Sequence, residues 1–584
     1  MMRRPFSLLM SATALFASAL FSTGSAQAQS TTKKAALSKA QLKAQQTPMR
    51  CVWMMHNLLS DDQLAQTQAI MKRAKAAGFN GVVLSDYKLG ALDLQPLHYF
   101  ENARAFIKTA NDLGMDIYPA VAPIGYSASL LSHNPNLAEG VPVRDAPFVV
   151  KGEIADLQID SSTRLQNGDF EAAQNNKLSG WNYQDAPGSG TYIDTQIKHG
   201  GAQSLRIEDI GTAANPANGR VIQNLTVHPW RQYHLSVWLQ TQDFQTPGSV
   251  WSLALTPTGR SLISAGWKVA RTQEWTQYHA VFNSLDNTKL NIYCGVWGGR
   301  GGKMWMDDLQ VEEVGLLNVL RRSGCPLTVK SESGVVYQEG RDFEAIKDPR
   351  MGVIPWAGEY EIYHAAPPIR LTANSRIKDG QKLLVSFYHP IITNGEQVAS
   401  CLSDPEVYKL LQDQIVRVNA LFHPKGFLLS HDELRVANWC ETCQSRKMTP
   451  SQLLADNVKR CVAFVRAANP KAKVYVWSDM FDPNHNAIDN YYLVNGTLAG
   501  SWNGLDKNVG IFNWNFDQRQ KSLAFFAARG QEQVLAGYYD DRPTQIRDWL
   551  DTAKGVPNVS GVMYTTWSQH YDDLEAFAQQ AWGK

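Results

Sequence analysis

The chain has 584 residues, enough for two to four domains or for one large barrel carrying an insertion. Its 44% hydrophobic and 10% aromatic content supports sizeable packed cores, and a formal net charge of +2 without a basic stripe excludes an electrostatic nucleic-acid binder. Seven cysteines are too few at this length to make a disulfide scaffold.

The N-terminus reads as an export signal. Met1-Met2-Arg3-Arg4 is a basic start, Phe6 to Phe21 an apolar and small-residue run, and Ala26-Gln27-Ala28 a cleavage site. Residues 1–28 are therefore expected to be removed, and the mature chain to be periplasmic or secreted. Residues 29–48 form a polar lead-in, and no later segment is apolar for long enough to predict a membrane span.

From Met49 the pattern alternates. MRCVWMMHNL reads as a strand, Asp61 to Ala77 as an amphipathic helix closed by Gly78, and GVVLSDY as a buried strand. Tyr99 to Leu113 is a helix closed by Gly114, and MDIYPAVAP is a further strand. Over residues 49–160 this is the rhythm of a parallel α/β fold. It then stops. Residues 161–316 are rich in short strands, Gly, Asn and Thr, with almost no helical periodicity, which predicts a β-sandwich. Its opening NGDFE, early Gly180-Trp181 and closing W-x-D-D-L-x-V-E-E resemble the jelly-roll carbohydrate-binding modules of glycan-degrading enzymes, which implies a glycan ligand. Residues 317–378 continue in β-rich style as a connector.

The α/β rhythm resumes over residues 379–584. LLVSFYHP, GFLLSHDE, KVYVWSDM, VGIFNWN, QVLAGYYD and VSGVMYTTW read as strands, with helices over Asp404 to Phe422, Leu453 to Ala468, Gln518 to Arg529 and Thr544 to Lys554. Both halves together offer nine candidate strands for the eight places of a (β/α)8 barrel, so one is peripheral. The expected fold is α/β: a TIM barrel interrupted by an inserted all-β jelly-roll sandwich. A doubly wound open sheet is the alternative, but no Gly-rich phosphate loop follows the first strand.

Parallel barrels build their sites at the C-terminal strand ends. Those ends carry His56, Asp86, His389, Asp432-Glu433, Trp477 with Asp479, Trp514, Tyr538 with Asp540, and Trp567. Asp432-Glu433 is the strongest element. Side chains alternate along a strand, so with Phe427 and Leu429 toward the helices, Ser430 and Asp432 point into the mouth and Glu433 has to turn inward. Two adjacent carboxylates push their pKa values apart, leaving one acid and one anion, the division that glycosidic cleavage needs. Aromatic rings suit the apolar face of a pyranose.

A strand ending in Asp-Glu, then strands ending in Trp, Tyr-x-Asp and a final Trp, resembles the β-N-acetylhexosaminidases of glycoside hydrolase family 20. The resemblance implies Glu433 as general acid/base and Asp432 orienting a 2-acetamido group whose oxygen attacks the anomeric carbon. It also implies Tyr538 and Asp540 as substrate contacts and Trp477, Trp514 and Trp567 as pocket walls. His389, His56, Asp86 and Asp479 are further candidates for sugar hydroxyls. The family's usual Gly-Gly before Asp-Glu is Ser430-His431 here, a departure that bears on acetamido specificity. The expected substrate is an oligosaccharide or polysaccharide. One alternative is a glycosidase using Glu433 with a second carboxylate, Asp540 or Asp479; another is a non-catalytic glycan-binding protein. Cys440-Glu-Thr-Cys443 reads as a local disulfide or half of a zinc site, but a second Cys/His pair at ligand spacing is missing. No metal and no cofactor are expected.

Overall fold

The computed structural model describes residues 49–211, 217–393, 396–540 and 542–583, so the expected signal segment and polar lead-in lie outside the described residues. Eight parallel strands close into a barrel: β1 (Met49–Met54), β2 (Gly81–Leu84), β3 (Asp116–Val121), β4 (Gly426–Leu429), β5 (Lys473–Trp477), β6 (Val509–Asn513), β7 (Gln533–Leu535) and β8 (Val559–Tyr564). The ring shuts where β8 pairs with β1, Met563 opposite Cys51.

Helices alternate with these strands: α1 (Asp61–Ala76), α2 (Leu97–Asp112), α3 (Pro405–Phe422), α4 (Pro450–Ala468), α5 (Arg519–Ala528), α6 (Gln545–Ala553) and α7 (Leu574–Trp582). Their starts follow from local chemistry. Ser60 caps α1 by accepting from Gln63 N–H, Asp404 caps α3, and Thr449 with Gln452 makes a reciprocal capping box on α4. Between β5 and β6 the described chain makes no α-helix, only short 3-10 turns at Asp479–Phe481 and Ser501–Gly504 and a two-residue strand, Leu493–Val494, paired with Val436–Ala437. The loop that replaces a helix there is the one that reaches the barrel mouth.

The barrel interior is filled rather than hollow. Cys51, Trp53, Tyr118, Leu428, Tyr475, Trp477 and Phe512 form one buried cluster, while Phe427 and Leu429 belong to the layer packed against the helices. Size is balanced across strands. A Cβ on Gly510 would meet the Tyr475 ring at 2.4 Å, so that tyrosine fits only beside a glycine.

Between β3 and β4 the chain leaves the barrel for two nested excursions. The outer one is a six-stranded sheet in the order Val336–Tyr337, Thr328–Ser331, Lys382–His389, Val141–Lys151, Ile154–Leu157, Ile369–Arg370. The inner one, between Leu157 and Thr328, is two five-stranded antiparallel sheets that share a core. The Cys294 thiol of one sheet lies 3.1 Å from Met306 Sδ of the other. The motif residues of this sandwich close its loops. Asn167 bonds the backbone of Ala172 and Ser179, Phe170 stacks on Trp181, and Asp307 accepts from the amides of His199 and Gly200.

The ninth candidate strand is thereby identified. LLVSFYHP, expected in the barrel, runs antiparallel to Val141–Lys151 in the six-stranded sheet. Its burial alternates residue by residue, as on a sheet covered on one face, whereas β2 and β4 are buried at every position. His389, expected at the barrel mouth, ends this strand instead. It is fully buried against the sandwich, where Nε2 accepts from the Asn283 amide at 3.0 Å and Nδ1 lies 2.9 Å from the Pro390 carbonyl and 3.1 Å from the Gln232 amide. Burial lowers its pKa to about 4, so the ring is neutral.

Replacing His389 by Leu leaves the Asn283 amide without this acceptor and the Pro390 carbonyl without this donor. The expected cost is about 1–3 kcal/mol, read as a lower unfolding temperature and faster limited proteolysis between sandwich and sheet. An unchanged unfolding temperature contradicts a docking role for this ring.

Candidate active site

Leu428 faces the barrel interior and Phe427 and Leu429 face the helices; the strand ends there, the His431 amide turning back to the Leu429 carbonyl at 2.9 Å, and Asp432 follows buried on the loop. Glu433 then takes φ +48°, a left-handed conformation uncommon for a side-chain-bearing residue. Its carboxylate is buried as well. Two contacts hold the turn: the Glu433 amide donates to Asp479 Oδ2 at 2.9 Å, and Gln397 Nε2 donates to the Glu433 carbonyl at 2.7 Å. Gly125 packs so closely that a Cβ there would meet the Asp432 carbonyl at 2.5 Å.

Both Glu433 carboxylate oxygens are acceptors. Arg435 Nη2 lies 2.9 Å from Oε1, and the Tyr126 hydroxyl donates to Oε2 at 2.5 Å. Arg435 is itself buried, bonded to Gln397 Oε1 and set 5.1 Å from the Tyr492 ring centroid. Asp479, fully buried on the loop after β5, also accepts from Asn486 Nδ2 at 2.9 Å and Trp514 Nε1 at 3.3 Å. Burial, opposed by those hydrogen bonds and reinforced by the Glu433 charge, raises the Asp479 pKa to about 7. Asp432 is pushed well above the carboxylate range, by burial first and then by the charges of Asp479 and Glu433. His485, 4.5 Å from the Trp514 ring, is lowered to about 4 by burial and is neutral.

Three tryptophans floor the mouth. Trp53, Trp477 and Trp567 meet with centroids 5.2–5.7 Å apart, all buried. Trp477 and Trp567 are thus packed into a floor rather than standing as free walls, whereas Trp514 is only partly buried beside the carboxylates. Asp540 supports Trp567: its Oδ2 accepts from the amides of Trp567 and Ser568, each at 3.0 Å. Its Oδ1 is buried with no hydrogen-bond partner among the described residues.

The fold therefore gathers Asp432, Glu433, Asp479 and Trp514, with Trp477, Trp567 and Asp540 close behind. Tyr538, bridged to Thr565 just past β7, is 40% exposed, and the tyrosine that bonds Glu433 is Tyr126. Asp86 is spent on the amides of Leu58 and Lys88 and the Tyr99 hydroxyl. His56 Nδ1 bonds Thr67 Oγ1 at 2.5 Å, and burial holds its pKa near 4. Sequence reasoning missed Tyr126, Gln397, Asn486 and Trp53. Only Trp53 carried a signal, the inward parity Met49, Cys51, Trp53 on β1. Beyond this site, Cys440 and Cys443 meet Cys401 and Glu139 in a buried cluster whose donor atoms all lie within 4.8 Å of one another. The second half of a metal set, missing at sequence level, comes from distant segments.

No protein-family model matches the sequence, and no curated protein sequence does. Among solved structures, a family 16 carbohydrate-binding module is 16% identical, covering 25% of this chain and 97% of its own, with a TM-score of 0.20. The CBM22-1 xylan-binding domain of Paenibacillus barcinonensis Xyn10C is 15% identical over 27% of this chain and 95% of its own, with a TM-score of 0.21. A rhamnosidase from Novosphingobium sp. PP1Y is 10% identical over 93% of this chain and 59% of its own, with a TM-score of 0.33. At these scores the likenesses carry no argument about activity. Among the described residues no helix is long and apolar enough to cross a membrane.

Arg435→Met leaves Glu433 a buried anion without its cation. The expected loss is about 3–5 kcal/mol, seen as a large fall in unfolding temperature that Glu433→Gln in the same chain partly restores. Failure of the double variant to recover stability contradicts the pairing.

Proposed function

We propose that the chain is an exported glycoside hydrolase whose catalytic carboxylates are Glu433 and Asp479, with Asp432 as the third group of the cluster. The observation that carries this reading is the unequal state of the carboxyls. Glu433 has both oxygens engaged by Arg435 and Tyr126, while Asp479 is raised to about 7. Both groups accept hydrogen bonds, but Glu433 faces a guanidinium whereas Asp479 meets only neutral N–H donors, so burial leaves Asp479 as the group that keeps a proton near neutrality, the pairing by which glycosidases protonate a leaving oxygen and stabilise the anomeric carbon. Asp479 then serves as proton donor to the departing sugar oxygen. Glu433 serves as the anionic partner, its carboxylate oriented by the Arg435 guanidinium and the Tyr126 phenol. The tryptophan floor and Trp514 supply apolar surface for a sugar face, and the sandwich is read as a glycan-binding module.

The family 20 roles remain a second reading, favoured by the buried Asp432 immediately before Glu433. In that case Asp432 orients a 2-acetamido group and Glu433 supplies the proton. Leaving groups separate the two. With Asp479 as the acid, Asp479→Asn loses about 10²–10⁴-fold on alkyl glycosides but far less on nitrophenyl glycosides, whose leaving group needs no proton; Glu433→Gln fails on both. If Glu433 is the acid, the pattern is reversed and a thiazoline mimic inhibits. Near-wild-type turnover by Glu433→Gln on an alkyl glycoside ends the assignment altogether.

The proton on Asp479 also sets a pH dependence. Activity should fall as pH rises through about 7. Because the folded-state pKa is raised above 3.8, the group's contribution to stability is complete below about 4 and is lost as pH rises toward and through about 7. Wild-type unfolding temperature should therefore drop between pH 5 and 8 by more than that of Asp479→Asn; parallel curves would refute the raised pKa.

A further inference from the structure

The cysteine pair that follows the carboxylates belongs to a second constellation, away from the tryptophan floor. Cys401 Sγ lies 3.5 Å from Cys440 Sγ and 3.6 Å from Cys443 Sγ, and Glu139 Oε2 lies 3.5 Å from each of the last two sulfurs. We propose that Glu139, Cys401, Cys440 and Cys443 hold one zinc ion in a closed, structural, tetrahedral site.

The edge lengths argue for it. Thiolates about 2.3 Å from a tetrahedral centre lie about 3.8 Å from one another, and a carboxylate oxygen at about 2.0–2.2 Å lies about 3.5–3.7 Å from each sulfur. The four distances above are within a few tenths of an ångström of that figure. Disulfide sulfurs sit about 2.05 Å apart, and a disulfide among three clustered thiols strands the third. The donor set is three soft thiolates and one carboxylate, which suits zinc over magnesium or calcium.

The surroundings are built for the ion. Glu139 Oε1 accepts from the amides of Trp439 at 2.6 Å and Cys440 at 3.0 Å, which fixes the carboxylate with Oε2 toward the sulfurs. The Arg322 side chain, close to Cys440, bonds the Ala138 carbonyl and Thr442 Oγ1; its charge is shared between Asp404, 3.4 Å away, and the negative charge that three thiolates and a carboxylate bring. All four donor residues are buried, so a fully ligated ion has no open position for substrate or water. Binding requires three thiol protons to be released to solvent.

The ligands come from three segments: Glu139 after β3, Cys401 just before α3, and Cys440 and Cys443 after β4. The same three segments supply Tyr126, Gln397 and Arg435 to Glu433. An ion here therefore staples the scaffold of the carboxylate cluster without touching it.

The test is metal content, and it stands apart from the hydrolase reading because it needs no turnover. The full chain, purified without added metal, is expected to carry about one zinc per molecule by elemental analysis and to show all seven cysteines as free thiols once denatured with chelator. Stripped and titrated with cobalt(II), it should show the strong visible bands of a tetrahedral thiolate site. Cys401→Ser and Cys443→Ser should lose the ion. Glu139→Gln should weaken retention by more than the roughly 10–100-fold that changes to outer partners cost, and Cys461→Ser should match wild type. Should the serine variants fail to fold, the wild-type zinc content and cobalt spectrum decide alone. A chain that carries no zinc and gives no tetrahedral cobalt spectrum when reduced overturns the proposal, as does one that has two thiols fewer and gives no such spectrum.

Discussion

Three carboxyl groups held out of water at one end of a barrel, with one buried guanidinium among them, are the constraint on which the rest of this structure depends. Burying one charge costs several kcal/mol unless a partner or a proton removes it. The molecule uses both remedies: Arg435 and Tyr126 meet Glu433, while Asp479 and Asp432 are driven toward their neutral forms. The arrangement is stable only if its hydrogen-bond donors are rigid, and those donors come from several loops at once.

That requirement gives the long excursion between β3 and β4 a physical purpose. Its two ends carry Tyr126 and Gln397, which bond the carboxylate and the carbonyl of Glu433. The six-stranded sheet between them holds those ends in place, and the sandwich is locked to that sheet through the neutral His389. The loop after β5 forgoes a helix and brings Asp479, Asn486 and Tyr491 to the same place. The Glu139 and cysteine cluster ties the outer margins of these segments.

Much of the barrel was legible because its strands are short apolar runs bounded by caps and helix-ending glycines. α1, α3 and α4 begin at or within a few residues of the expected positions, with Ser60, Asp404 and Thr449 as caps. LLVSFYHP was misassigned because an apolar run of strand length reads alike in a barrel and in a half-covered sheet; its alternation with Ser386 was the discriminating detail. At the site, Asp432 and Glu433 were visible as adjacent acids closing an apolar strand run, and Asp479 from its place at the end of β5. Tyr126 and Gln397 were not, since neither ends a strand and each lies far from Glu433 in sequence. Cys440 and Cys443 were visible as a pair, but their partners lie 39 and 301 residues upstream of Cys440, beyond any spacing rule.

By itself the sequence determined the elements, the inward face of β4 and the presence of adjacent carboxylates at its end, because caps, periodicity and side-chain alternation act over a few residues. The closed ring, the nesting of the insertions, the pairing of Glu433 with Arg435 and Tyr126, and the meeting of Glu139 with three cysteines were decided only by tertiary structure. Each depends on which distant segments share a low-dielectric space, and burial and Coulomb energy are properties of that space rather than of neighbouring residues along the chain.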